Sequence, residues 1–353
     1  MIATLNKIKS ILIKIAGTVA LPIIMYVIFL IATKATGDSE FGFFVSSDTT
    51  EEIIINTCYA SLVAMGLSTQ ILNGRFDFSA GITIILSSFL AGKIALPMLG
   101  SLGGTATLIY VILCVAFSLI ISMITATAYK TLGLPMMICS IALTIVYESI
   151  PRLVAGDSTS SGLDLTRHAE FTRLNDIPIC LILLAVGIIA YFYFKDLSVG
   201  GTRARLLANN QLTSVNIGIN ETKNLFATYI ISGIIFGLAA AIYGAKTWIK
   251  PAEIGNLSTT SVAFSNIVPV YIGMFIGLLS FGWIGVIAGG LTVQILSRGL
   301  VICNQGNAEG IYNIVFGIFM LAFWTLSAEL DNIKKLINQL KLKITSKRKS
   351  VAK

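Results

Sequence analysis

The sequence predicts an all-α polytopic membrane protein: about ten transmembrane helices, a pseudo-repeat of two halves, and both termini in the cytoplasm. Three observations carry that prediction. The first is composition. Of 353 residues, 55% are hydrophobic and only 12% are charged, against about 25% charged in an ordinary soluble domain. The second is a series of long apolar runs. The third is a consistent charge difference between alternate connecting loops.

A spanning helix needs about 20 mostly apolar residues, because the hydrocarbon core is about 30 Å thick. Segments near 11–33, 52–73, 79–97, 105–129, 134–155, 177–194, 224–247, 260–279, 283–302 and 310–328 meet or approach this. The basic residues Lys7, Lys9 and Lys14 around the start of the first run resemble the head of a signal peptide. The run is long enough to span and no small-residue cleavage pattern follows, so a retained first span is expected. The third, eighth and ninth segments are the weakest. They carry Lys93, Asn266 with Pro269, and Gln294 with Arg298. Polar or broken spans are tolerated only against protein or a water-filled path, which points these three toward the interior.

Orientation follows the basic residues. The N-terminal lysines, Lys130, the 195–223 loop with Lys195, Arg203, Arg205 and Lys223, and the tail from Asp331 to Lys353 fall on one side. That tail has eight basic residues against one acid. The opposite loops, 34–52 and 156–176, are acidic. The chain therefore divides into an N-terminal span and external loop (1–50), a core (51–328) containing the cytoplasmic loop 195–223, and a basic cytoplasmic tail (329–353). The net charge of +8 marks the cytoplasmic side of a cell membrane rather than a nucleic-acid partner.

The chemistry of enzymes is sparse here. Cys58, Cys114, Cys139, Cys180 and Cys303 form no CxxC pair, and His168 is the one histidine. No metal site, catalytic residue or cofactor is expected. No GxxxxGK[ST] phosphate loop occurs, so any ATP hydrolysis must reside on another polypeptide.

The polar residues inside or between spans are the candidates for function. Gln70, Asn73, Asp77, Ser79, Asn266 and Gln294 form the expected substrate path. Each has a plainer alternative. Asp77 either lines a path or serves a structural turn or an ion pair with Arg75. The amides either contact a solute or hold helices together, at about 1 kcal/mol each. Glu148 and Arg152, four apart, suit an ion pair on one helix face or a vestibule. Asn73–Gly81 and Gly277–Gly285 are Gly-rich breaks with aromatics in corresponding places, the pattern of a transporter repeat.

Three stretches give the chain a family resemblance. Gly74-Arg75-Phe76-Asp77-Phe78-Ser79-Ala80-Gly81 resembles a Gly-Gly-Ile-Asp-Leu-Ser-Val-Gly motif. Gly133-Leu134-Pro135-Met136-Met137-Ile138, with Ala142-Leu143-Thr144, resembles a leucine-proline helix start. Ala208-Asn209-Asn210 through Gly218-Ile219 resembles a cytoplasmic Gly-Gly-Asn loop. The ordered set resembles the permease subunit of bacterial ABC importers of the ribose, sugar or nucleoside type, and more distantly the branched-chain amino acid permeases. Ala208 and Asn209 replace the paired glycines, Thr213 and Ser214 stand where alanines are common, and Gly273-Met274-Phe275 replaces a Gly-rich core.

The resemblance implies an ATP-driven importer subunit for a small polar solute. Its implied partners are ATP-binding subunits, a second permease (identical or homologous) and an external substrate-binding protein. It places ATPase coupling in the cytoplasmic loop, at Asn210, Leu212, Val215, Gly218 and Ile219. Leu212 and Val215, three apart, would share a helix face. An ion-coupled secondary transporter is the alternative within transport, and a membrane-embedded enzyme the alternative outside it.

Overall fold

The computed structural model describes residues 17–32, 47–155, 162–249, 256–279 and 282–303, with scattered residues between 310 and 329. The long elements are helices: α1 (Gly17–Ala32), α2 (Ser47–Ile71), α3 (Ala80–Leu102), α4 (Thr105–Leu132) and α5 (Met136–Ala155). The short α6 (Ala169–Thr172) and a 3-10 turn precede α7 (Ile177–Phe192), which ends in a π turn, Tyr193–Leu197. Then come α8 (Val199–Asn209), α9 (Gln211–Asn216), α10 (Glu221–Lys246), α11 (Thr260–Ser265), α12 (Ile267–Leu279) and α13 (Gly282–Cys303). Among the described residues, extended pairing is limited to one antiparallel bridge between Leu163 and Ile249.

Among the described residues seven helices are long and apolar enough to cross a bilayer: Asp48–Ile71, Ala80–Leu102, Thr105–Leu132, Met136–Val154, Ile177–Leu197, Glu221–Lys246 and Ile284–Cys303. Gly17–Ala32 and Thr260–Met274 are apolar but shorter. The second of these divides at Asn266, where α11 ends and α12 begins. About half of the expected tenth span, 310–328, lies outside the described residues.

Residues Gly42–Val270 form one compact unit, and Met1–Phe41 with Tyr271–Lys353 another. In the first, α10 is the axis, packed on α2, α3, α4 and α7. Its sequence explains this position. Gly233 and Gly237 are four apart, and Ala239, Ala240 and Ala241 are fully buried. Small residues at that spacing let helices approach closely in lipid, where van der Waals packing replaces the hydrophobic drive. A Cβ on Gly237 would lie 2.4 Å from the Val115 Cα of α4, so the α4 backbone occupies that space. Opposite this seam, α4 exposes Leu108, Ile112, Ile120 and Ile124, the spacing of a lipid-facing stripe.

α2 runs antiparallel to α10. Lys246 donates to Asn56, Tyr59 packs on Tyr243 with ring centroids 5.9 Å apart, and Asn73 bonds Thr228. The connection from α2 to α3 therefore lies beside Thr228, about 10 Å along α10 from Glu221. It is set into the bundle rather than perched at the helix end. In the second unit, α13 buries Val286, Val293, Ile295, Leu296 and Leu300.

Candidate functional site

The α2–α3 break gathers four of the residues that the sequence singled out. Beyond Ile71 the chain turns through Gly74, whose φ of 69° is accessible to glycine at little cost. Asp77 is 2% exposed. Its Oδ1 accepts from the Ser79 amide at 2.8 Å and the Ser79 hydroxyl at 2.6 Å. Its Oδ2 accepts from Gln70 Nε2 at 3.3 Å. Gln70 also reaches Ser232 Oγ at 3.5 Å, and Asn73 donates to Thr228 Oγ1 at 3.1 Å. Gln70, Asn73, Asp77 and Ser79 thus form one buried cluster on the polar face of α10. The carboxylate closes a local turn onto the start of α3, an economical use of a short acid.

Arg75 is not the partner of Asp77, which corrects the ion-pair alternative. Its Nη2 lies 2.5 Å from Glu221 Oε1, and its guanidinium stands 5.2 Å from the Tyr129 ring centroid. Arg75 therefore ties the break to the first turn of α10 and the last turns of α4. Glu221 is well placed there, since an acid is favoured at a helix N-terminus.

Three aromatic rings flank the cluster. Phe76 and Phe78 meet edge-on at 4.8 Å, and Phe78 meets Phe264 of α11 at 5.4 Å. The Phe78 amide donates to Ser140 Oγ of α5 at 3.1 Å.

Glu148 corrects a second expectation. It does not pair with Arg152. It is fully buried, and its Oε1 accepts from the Thr259 amide at 3.0 Å and hydroxyl at 2.6 Å. Thr259 enters α11, and a Cβ on Gly81 would lie 2.0 Å from its carbonyl oxygen. The start of α3, the middle of α5 and the entry to α11 therefore meet with no spare volume. α3 and α5 pack on one another and bury hydroxyls at helical spacing: Ser79, Thr83 and Ser87 on one, Ser140 and Thr144 on the other, with Glu148 one turn beyond. Thr83, Ser87 and Thr144 each donate to the carbonyl four residues earlier. Their lone pairs remain as acceptors.

Asn266 is buried, but its amide is spent locally, on Val262 O at 2.8 Å and Ser265 Oγ at 3.3 Å, where α11 ends. Gln294 is half-buried on α13, in the other compact unit.

The 195–223 loop contains two short helices, α8 and α9. Asn210, extended at φ −157°, separates α8 from α9 and caps α9 by accepting from the Thr213 amide at 3.0 Å. Gly218, with φ 91°, lies in the turn that ends the pair, followed by Ile219. Asn220 then caps α10. Leu207 and Ser214 are buried beneath, while Leu212 is 80% and Val215 46% exposed.

Residues 49–324 match the family described as branched-chain amino acid transport system / permease component. The chain belongs to that family. The permease is 23% identical to a fructose import permease protein of Rhizobium meliloti, over 80% of this chain and 78% of that one. It is 20% identical to a fructose import permease protein of Bifidobacterium longum, over 87% of this chain and 90% of that one. It is a multi-pass protein of the inner membrane and the translocation subunit of an ABC importer, with no ATP-hydrolysing role of its own. The family implies ATP-binding and substrate-binding partners.

Reading the sequence missed two anchors of the permease. Glu221 holds Arg75 from 146 residues away, and Thr259 holds Glu148 from 111 residues away. A signal was available for the first, an acid in the opening turn of a helix facing a buried arginine.

Proposed function

We propose that the permease carries a neutral monosaccharide across the membrane, handed over by an external binding protein and driven by ATP-binding subunits docked at α8 and α9. The observation that carries this reading is the buried cluster of Gln70, Asn73, Asp77 and Ser79 beside the Phe76–Phe78–Phe264 rings. Sugars present hydroxyls to amide and carboxylate groups and C–H faces to aromatic rings. A site with a few convergent polar groups among apolar walls suits them. The fructose relatives point to the same solute class.

Both termini and the α8–α9 segment lie in the cytoplasm in this reading, and a second permease completes the path. A cysteine label at Ser160, which falls outside the described residues, reacts from outside the cell. Labels at Asn209 or Ser346 react only from the cytoplasm. External labelling of Ser346 would break the topology.

Proteoliposomes with the permease, its ATPase and its binding protein should accumulate labelled fructose only with internal ATP. Asp77→Asn should slow uptake at least tenfold while the complex still assembles. Uptake driven by an ion gradient in the absence of ATPase would contradict the reading.

A further inference from the structure

Both flanks of α9 bear on two consecutive residues of the α2–α3 break. On one side is the last turn of α8. A Cβ on Gly74 would lie 3.1 Å from the Ala208 Cα and 3.3 Å from the Ala208 Cβ, so the break and α8 meet almost backbone to backbone. On the other side is the first turn of α10, where Glu221 holds the neighbouring Arg75. The Arg75 side chain is only 7% exposed, and a charge-assisted pair of this kind is stronger than a neutral hydrogen bond.

The segment between these two contacts is built to move as a piece. α9 stands between Asn210, extended at φ −157°, and Gly218, at φ 91°. Residues at the ends of an element are where hinge motion is absorbed. The start of α8 is fixed by contrast. Asn224 of α10 donates to Gly200 O at 2.8 Å, Ser198 Oγ accepts from the Gly201 amide at 3.1 Å, and a Cβ on Gly201 would lie 2.1 Å from Phe194 O. The Arg205 guanidinium also donates to the Lys195 carbonyl. With that end held, a push on α9 is delivered at Ala208 and Glu221. We propose that Gly74 and Arg75 are positioning residues for transport: they receive the displacement of α9 from both its flanks and pass it to the Asp77 turn two residues on. That an ATPase supplies the displacement rests on the function proposed above.

The test uses proteoliposomes holding the full complex of permease, ATPase and binding protein, with fructose uptake and ATP hydrolysis measured together. Gly74→Ala should keep the ATPase bound, because Leu212 and Val215 are untouched. Fructose moved per ATP should fall about tenfold, within the usual range of coupling between linked sites. Gly133→Ala is the control for backbone strain: its φ is 63°, close to the 69° of Gly74, but nothing lies within 4 Å of where its Cβ would stand. It should keep the native ratio. Adding Ala208→Gly to Gly74→Ala removes the side-chain atom nearest the new methyl and should restore part of the ratio. Glu221→Gln, which releases the other flank, should lower the ratio as Gly74→Ala does. A second readout is independent of the solute: the alkylation rate of Phe76→Cys, at a half-buried position next to Arg75, should change with ATP, and Glu221→Gln should abolish that change.

Equal loss in Gly74→Ala and Gly133→Ala reduces the effect to backbone strain and overturns the relay. So does a native ratio, or an unaltered response to ATP, in Glu221→Gln, and that variant decides alone if Gly74→Ala does not assemble. A complex that accumulates fructose while its Glu221→Gln variant keeps the native ratio loses only the relay. A complex whose ATP response at Phe76→Cys depends on Glu221 but which takes up no fructose keeps the relay and loses the sugar reading.

Discussion

Residues 72–79 join α2 to α3, residues 210–219, which include the short α9, join α8 to α10, and the two segments handle their polar and apolar groups in opposite ways. The first is sunk into the bundle and ties side chains to the distant α10, Asn73 to Thr228 and Arg75 to Glu221. The second uses local caps, Asn210 on Thr213 and Asn220 on Lys223, and leaves Leu212 and Val215 uncovered. A buried break needs long-range partners because no water satisfies it. A surface break needs only its neighbours, which frees its apolar residues for another protein. Tolerance to substitution should therefore differ sharply between the two.

The largest effect is expected where backbone meets backbone. Gly81→Val would drive its Cβ into the Thr259 carbonyl. Overpacking costs about 1–3 kcal/mol where side chains can yield, and here a backbone group blocks the way. The expected outcome is loss of monodisperse protein in gel filtration; a normally behaved variant would show that the α3–α11 contact is loose.

Asp77→Ala comes next. It strands the Ser79 amide and hydroxyl and one Gln70 donor, at about 1–3 kcal/mol for each buried unpaired group. A marked fall in the thermal transition in detergent should result, and Asp77→Asn should recover part of it. Arg75→Met follows, smaller because the Glu221 side chain is 27% exposed and water can take over its solvation. A drop of a few degrees in the same assay is expected. The smallest effect on stability belongs to Leu212→Asp with Val215→Asp. Surface substitutions usually fall within about 0.5 kcal/mol, so the transition should not move. A drop as large as that of Asp77→Ala would erase the contrast between the two breaks.

The sequence made some of this legible, for a physical reason. α4 and α10 are long apolar runs with polar flanks, and their ends fall within a few residues of expectation. Gln70, Asn73, Asp77 and Ser79 lie within ten residues of one another, so chain connectivity alone keeps them together. Glu148 shows the opposite case. Helical spacing offers Arg152 as its partner, yet α5 turns the carboxylate inward to Thr259. The angle at which a helix meets its neighbours is decided by packing along its whole length, including the Gly233–Gly237 seam of α10. No local pattern in α5 records it. Asn210 was visible as a polar residue in a loop. Its division of that loop into α8 and α9 depends on Leu207 and Ser214 being buried beneath, which is again a property of the packed bundle.

The most direct test of the account is assembly of the Leu212→Asp, Val215→Asp permease with its ATPase. The buried break predicts a folded subunit that still spans the membrane. The exposed α9 face predicts that co-purification of the ATPase is lost, because burying two carboxylates in an apolar contact leaves them without partners. ATP hydrolysis stimulated by binding protein and sugar should fall to the unstimulated rate. A double variant that co-purifies with the ATPase and hydrolyses ATP at the full stimulated rate would contradict the assignment of α9 as the coupling element.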